Sequence, residues 1–123
     1  MFAANLIRCI HFAVVLYMVF APFSENIEVV ETYVMIVPFI VFHWIVNNNM
    51  CALSMLEAYL TGKPMCETFI GRIVEPIYSI SSGEIQLVTF ILYCVAVYRV
   101  GSPLAVAKKY ASTAHRLYRQ WRQ

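Results

Sequence analysis

His43-Trp-Ile-Val-Asn-Asn-Asn-Met-Cys-Ala-Leu-Ser-Met-Leu-Glu57 is the stretch on which the reading of the chain turns. A long apolar run arrives at His43 and Trp44, an aromatic–polar pair suited to a bilayer surface. Asn47, Asn48 and Asn49 then interrupt it; they read as the end of one helix and the cap of the next. Beyond them Met50, Leu53, Leu56, Tyr59 and Leu60 are spaced for one helical face, among which Cys51, Ser54 and Glu57 are set. Such a stretch marks the end of a membrane span followed by a short amphipathic helix.

The composition agrees. Apolar residues make up 61% of the 123-residue chain and charged residues 13%, about half the usual charged share. A globule of this size has too little interior to hide that much apolar surface, so lipid is its natural solvent. The basic residues are unevenly placed. Positions 1–84 carry all seven acidic residues and only Arg8, Lys63 and Arg72, whereas positions 85–123 carry Arg99, Lys108, Lys109, Arg116, Arg119 and Arg122 and no acid.

Upstream, Phe2 to Phe23 is long enough to cross a bilayer core, and Arg8 falls where its stem can snorkel toward headgroups. A secretory signal is the competing reading of this segment, opposed by the poor Ala21-Pro22 cleavage site. Pro22, Ser24 and Asn26 make a turn, and Glu25, Glu28 and Glu31 lead into a second span, Val29 to Val46. Its β-branched content would suggest a strand in water; in lipid a lone span must satisfy its own backbone, so it reads as a helix. Pro38 predicts a kink.

Downstream, Thr61-Gly62-Lys63-Pro64 is a helix stop. Cys66 to Ile80 reads as an amphipathic arm, bent at Pro76. Ser81-x-x-Glu84 has capping-box spacing ahead of the last span, Ile85 to Val100. Gly101-Ser102-Pro103 then predicts a new helix from Pro103 to Trp121. One face of that helix holds Leu104, Ala107, Ala111, Ala114, Leu117, Tyr118 and Trp121. Lys108, Lys109, Arg116, Arg119 and Arg122 lie mostly opposite, a pattern suited to a membrane surface or a partner protein.

The expected fold is therefore all-α: an integral membrane helical bundle of three spans plus a short helical hairpin, with a basic amphipathic C-terminal helix. Residues 1–101 form the bundle and 102–123 the tail helix. Three spans put the two chain ends on opposite sides, with the Glu25–Glu31 turn on the side of the tail. A fourth crossing would put both ends on one side.

No catalytic or metal signature is present: there is no phosphate loop, no His-Glu-x-x-His and no Cys-x-x-Cys. His11, His43, Asn47, Cys51 and Glu57 form the polar group of interest. His43 beside Glu57 or Cys51 is a possible metal ligand, but an interfacial hydrogen bond is the plainer reading. Arg8 and His11 read as a buried polar pair with Glu57 or Asn47, or as a proton path. Ser54 and Glu57 fit a hydrogen bond along the helix face better than a catalytic pair. Cys51 and Cys66 can pair as a disulfide if their segments meet; Cys9 and Cys94 lie in apolar runs as free thiols. No metal, cofactor, small-molecule substrate or specific nucleic acid is expected. The expected partners are the lipid bilayer and other structural proteins, of a capsid or of a membrane complex.

The ordered series Asn5-Leu-Ile-x-x-Ile-His-Phe-x-x-Val-Leu, His43-Trp, Cys51-Ala-Leu-Ser-x-Leu-Glu57, Thr68-Phe-Ile-Gly-x-x-Val-Glu-Pro-Ile-Tyr78 and Glu84-Ile-Gln-x-Val resembles a small uncharacterised bacterial family of multi-span membrane proteins. Ala52 and Ser79 replace prolines of that pattern. The resemblance implies a compact helical fold and no catalytic role. The Asn-Asn-Asn-Met-Cys-Ala-Leu form also looks like small membrane proteins of large double-stranded DNA viruses. That likeness implies a non-enzymatic minor capsid protein of the virion inner membrane. An accessory subunit of a membrane complex, for example respiratory, and a small-molecule or redox protein using His11, His43, Cys51 and Glu57 are the alternatives.

Overall fold

The computed structural model describes residues 1–64 and 82–123. These form helices α1 (Phe2–Phe20), α2 (Ile27–Val46), α3 (Ala52–Thr61), α4 (Ser82–Val100) and α5 (Pro103–Trp121), with a 3-10 turn at Ala21–Phe23. No strand occurs among the described residues. Three segments, Phe2–Phe23, Ile27–Val46 and Gly83–Val100, are helical, long and apolar enough to cross a membrane. The protein is an all-α integral membrane bundle.

The corner between α1 and α2 follows from its residues. Pro22 stands in the first turn of the 3-10 segment, where its missing N–H costs nothing. Asn26 then caps α2, its Oδ1 accepting from the Glu28 amide at 3.0 Å. Glu28 lies in that first turn, where a carboxylate complements the helix dipole. α2 continues as one helix from Ile27 through Pro38 to Val46.

The core is built on the α2 stripe Val30, Tyr33, Val34 and Val37, an i, i+3, i+4, i+7 pattern, closed by Ala21 and by Ala96 of α4. Tyr17 and Tyr33 meet there with ring centroids 5.9 Å apart, tilted by 48°. Ala96 lets the α4 backbone come close to α2, and Tyr93 and Val97 pack around it. Most other apolar side chains of α1, α2 and α4 point outward, as lipid-facing residues do.

Contacts along the helices set their directions. Gln86 Nε2 at the start of α4 donates to Asn49 Oδ1, just past the end of α2. At the other end of α4, the Arg99 guanidinium donates to the Pro22 carbonyl at 2.6 Å. α4 therefore runs antiparallel to α2. The segment between Asn49 and Gln86 begins and ends at the same end of the bundle. Met1 lies at that end and α5 at the opposite one, together with the Glu25–Glu31 turn. Residues 65–81, which include Cys66, the second arm of the hairpin and Ser81 of the capping box, lie outside the described residues.

Candidate functional site

The polar residues of the α1–α3 contact form the candidate site. α3 starts where the asparagines stop the preceding helix. Asn47 is the C-cap of α2, and Asn48 and Asn49 take φ of 53° and 61°. That left-handed region is one asparagine tolerates better than most residues. The asparagines do not cap α3. Its N-cap is Cys51, in extended conformation and without a side-chain cap bond. His43 supplies an acceptor instead: the Ala52 amide donates to His43 Nε2 at 3.2 Å. Asn47 Nδ2 holds the loop by donating to the Met50 carbonyl at 3.0 Å. α3 ends at Gly62 in the left-handed conformation, φ 65°, as the Gly-Lys-Pro stop requires.

From there α3 lies antiparallel along the N-terminal half of α1. Arg8 Nε donates to Glu57 Oε1 at 2.8 Å, and Arg8 Nη1 to Asn5 Oδ1 at 3.2 Å. Glu57 is 1% exposed and Arg8 28%, so the pair is partly withdrawn from water. Arg8 thus spends its charge on α3 rather than on headgroups alone. One turn further along α1, His11 Nε2 lies 3.7 Å from Cys51 Sγ. His11 is 4% exposed, and its Nδ1 is buried without a hydrogen-bond partner. Ser54 is buried beside them on the same face of α3. The outer face of α3, with Met55, Leu56, Tyr59 and Leu60, is exposed and apolar.

The thiol of Cys51 feels opposing influences. Burial pushes its pKa up, but His11 and the amide dipoles of Ser54 and Leu53 favour the thiolate. The net effect is a pKa below the usual cysteine value. Cys51 is a free thiol. The other half of the pairing considered with Cys66 lies outside the described residues. Among the described residues no three of His, Cys, Asp and Glu are grouped to hold a metal ion.

Of the polar residues named from the sequence, the structure gathers Arg8, His11, Cys51, Ser54 and Glu57 on the α1–α3 face. His43 and Asn47 shape the loop that delivers α3. The chemistry open to this site is proton sharing between imidazole and thiol beside an ion pair.

The basic residues of the tail are far from it. Lys108, Lys109, Arg116, Arg119, Trp121 and Arg122 lie on α5, all exposed. α5 is attached to α2 by its first turns only. Val106 is buried, Lys109 Nζ bonds Glu31 Oε2 at 2.7 Å, and the Tyr110 hydroxyl is 3.4 Å from Thr32 Oγ1. Glu31 holds the Lys109 ammonium above its ordinary value of 10.5. Sequence reasoning missed the Arg99–Pro22 and Lys109–Glu31 contacts. The signal for the second was present in the division of charge, acid at the start of α2 and base after the last span; the first is made to a backbone carbonyl, which no charge pattern marks.

The chain matches no protein-family model, no curated protein and no solved structure. The resemblance described above therefore rests on the quoted residues alone.

Proposed function

We propose that this chain is a structural membrane protein, an anchor whose helices present the α3 end at one side of a bilayer to a larger assembly. The supporting observation is how the polar groups of its spans and of α3 are used. Ionisable residues within a membrane are functional by default. Here Arg8 and Glu57 join α1 to α3, and His43 fastens the loop between α2 and α3. These are fastenings within a scaffold. In its finer form the proposal is a minor capsid protein of a virion inner membrane, linking that membrane to the capsid shell, with the α3 end facing the capsid proteins.

Gentle detergent extraction from the native source, followed by sizing and mass spectrometry, tests this. Stoichiometric structural proteins are the expected companions, and absence from purified particles removes the virion form. Companions bearing redox cofactors would replace the proposal with an accessory subunit of a membrane complex.

One observation favours a second reading, a redox or small-molecule protein: the contact of His11 with Cys51. It requires that Cys51→Ala or Glu57→Gln abolish an activity while assembly persists. Unchanged function in both variants sinks it.

A further inference from the structure

From the geometry of α5 we infer that its outer half lies on the bilayer surface, on a leaflet bearing anionic headgroups. This rests on the reading of the chain as a membrane anchor, and leaves the α3 end as the surface for a protein partner.

Three observations carry it. First, the face that docks on α2 continues past it. Pro103, Val106 and Tyr110 share a helical face with Ala114, Leu117 and Trp121, following the i, i+3, i+7 spacing. Every residue from Lys108 onward is exposed, and Trp121 is 84% exposed. An amphipathic helix with its apolar face bare is incomplete, and something covers that face. Second, α5 starts three residues after the last span ends at Val100, turned by Gly101 at φ 89°. Its docked turns lie against Glu31 and Thr32, in the second turn of another span. The bare apolar face is thus held at the depth where spans enter the leaflet. Third, the opposite face carries Lys108, Arg116, Arg119 and Arg122, and α5 has no acidic residue. A second copy brings like charge, whereas anionic headgroups bring the complement. Tyr118 and Trp121 are the residue types that favour the headgroup level.

The occupant of the apolar face is therefore the acyl boundary of the leaflet, with α5 buried to roughly 5–10 Å. Lys109 on Glu31 fixes where the helix leaves the bundle, and the other cations face phosphate and serine headgroups.

The test uses the full chain in nanodiscs of phosphatidylcholine alone, or of phosphatidylcholine with phosphatidylserine. The emission of Trp121 is isolated by subtracting the Trp121→Phe variant, which leaves Trp44 as the remaining tryptophan. In the anionic discs the expected difference spectrum is blue-shifted and quenched by brominated lipid. In phosphatidylcholine alone, or at raised salt, it shifts toward that of exposed tryptophan. Arg116→Gln, Arg119→Gln and Arg122→Gln each lower the docked fraction relative to the free one by about fivefold on the anionic surface. A water-like spectrum in both lipids overturns the inference. So does a blue shift without bromolipid quenching, because protein then covers the face. Equal quenching in both lipids overturns the requirement for anionic headgroups. None of these outcomes alters which proteins co-purify with the chain, so failure here is distinct from failure of the anchor reading.

Discussion

The bundle is fastened at its two ends by the same chemistry in different solvents. At one end Arg8 meets Glu57 at 2.8 Å, with the carboxylate 1% exposed. At the other Lys109 meets Glu31 at 2.7 Å, with side-chain exposures of 55% and 12%. The distances are alike and the consequences are not. The first carboxylate has left water, so removing it takes from the half-buried Arg8 guanidinium its opposite charge. The second pair trades protein for water at little cost and is screened by salt. Distance alone says nothing of what such a pair contributes; the surroundings decide.

Glu57→Ala is the severest way to break the comparison. It leaves Arg8 uncompensated beside the membrane and destabilises the bundle by about 3 kcal/mol, the low end for a broken buried pair because Arg8 keeps some solvent. Denaturant titration in detergent micelles reads this. A double cycle with Arg8→Gln should recover much of the loss, and strict additivity would show that the pair is not coupled.

Alkylation of Cys51 probes the same end more finely. The thiol sits below its usual pKa because His11 and the α3 amides outweigh burial, so its reaction persists to lower pH than in a free peptide. His11→Phe removes the largest of the stabilising influences and moves the midpoint of the rate–pH curve upward. Peptide mapping after a short pulse of iodoacetamide follows Cys51 specifically. An unmoved midpoint would show that His11 does not act on the thiol.

At the opposite end Lys109→Gln should leave unfolding of the bundle unchanged at physiological salt. It should instead free α5, seen as a wider distance distribution between spin labels on α5 and the start of α2. The pH dependence has a definite sign. Because Glu31 raises the Lys109 pKa, its contribution is fully present below the ordinary 10.5 and is lost as pH rises through the raised value. The label distance should hold constant through neutral pH and widen only in strong alkali. Widening between pH 8 and 10 would contradict the contact.

Span content was legible because it depends on length and apolarity, which are local properties. The tail helix was read to the residue, Pro103 to Trp121, since Gly101, Ser102 and Pro103 punctuate its start. α2 begins two residues earlier than its apolar run, at Ile27, because the Asn26 cap sets the start and not hydropathy. α3 was visible as a short amphipathic piece, but its cap was not. Asparagines are common N-caps, yet Asn48 and Asn49 spend their conformational tolerance on the turn, which leaves His43 to serve the first α3 amide. That Arg8 would reach Glu57 over Asn47 depends on the register of α3 against α1, and no local pattern encodes that register. The meeting of Gln86 with Asn49 depends likewise on two elements distant in sequence.

The Gly101 turn has a consequence for biosynthesis. Before the tail is made, the basic residues at the Met1 end among the described residues, Arg8 and Lys63, outnumber Arg99 at the other. Once residues 103–123 emerge, the balance of lysine and arginine favours the opposite end. Cytosolic loops keep the excess of these residues, so by that rule residues 1–100 taken alone and residues 1–123 favour opposite orientations. Among the described residues, the charge that favours one orientation over the other thus comes from α5, which follows the three candidate spans in the chain.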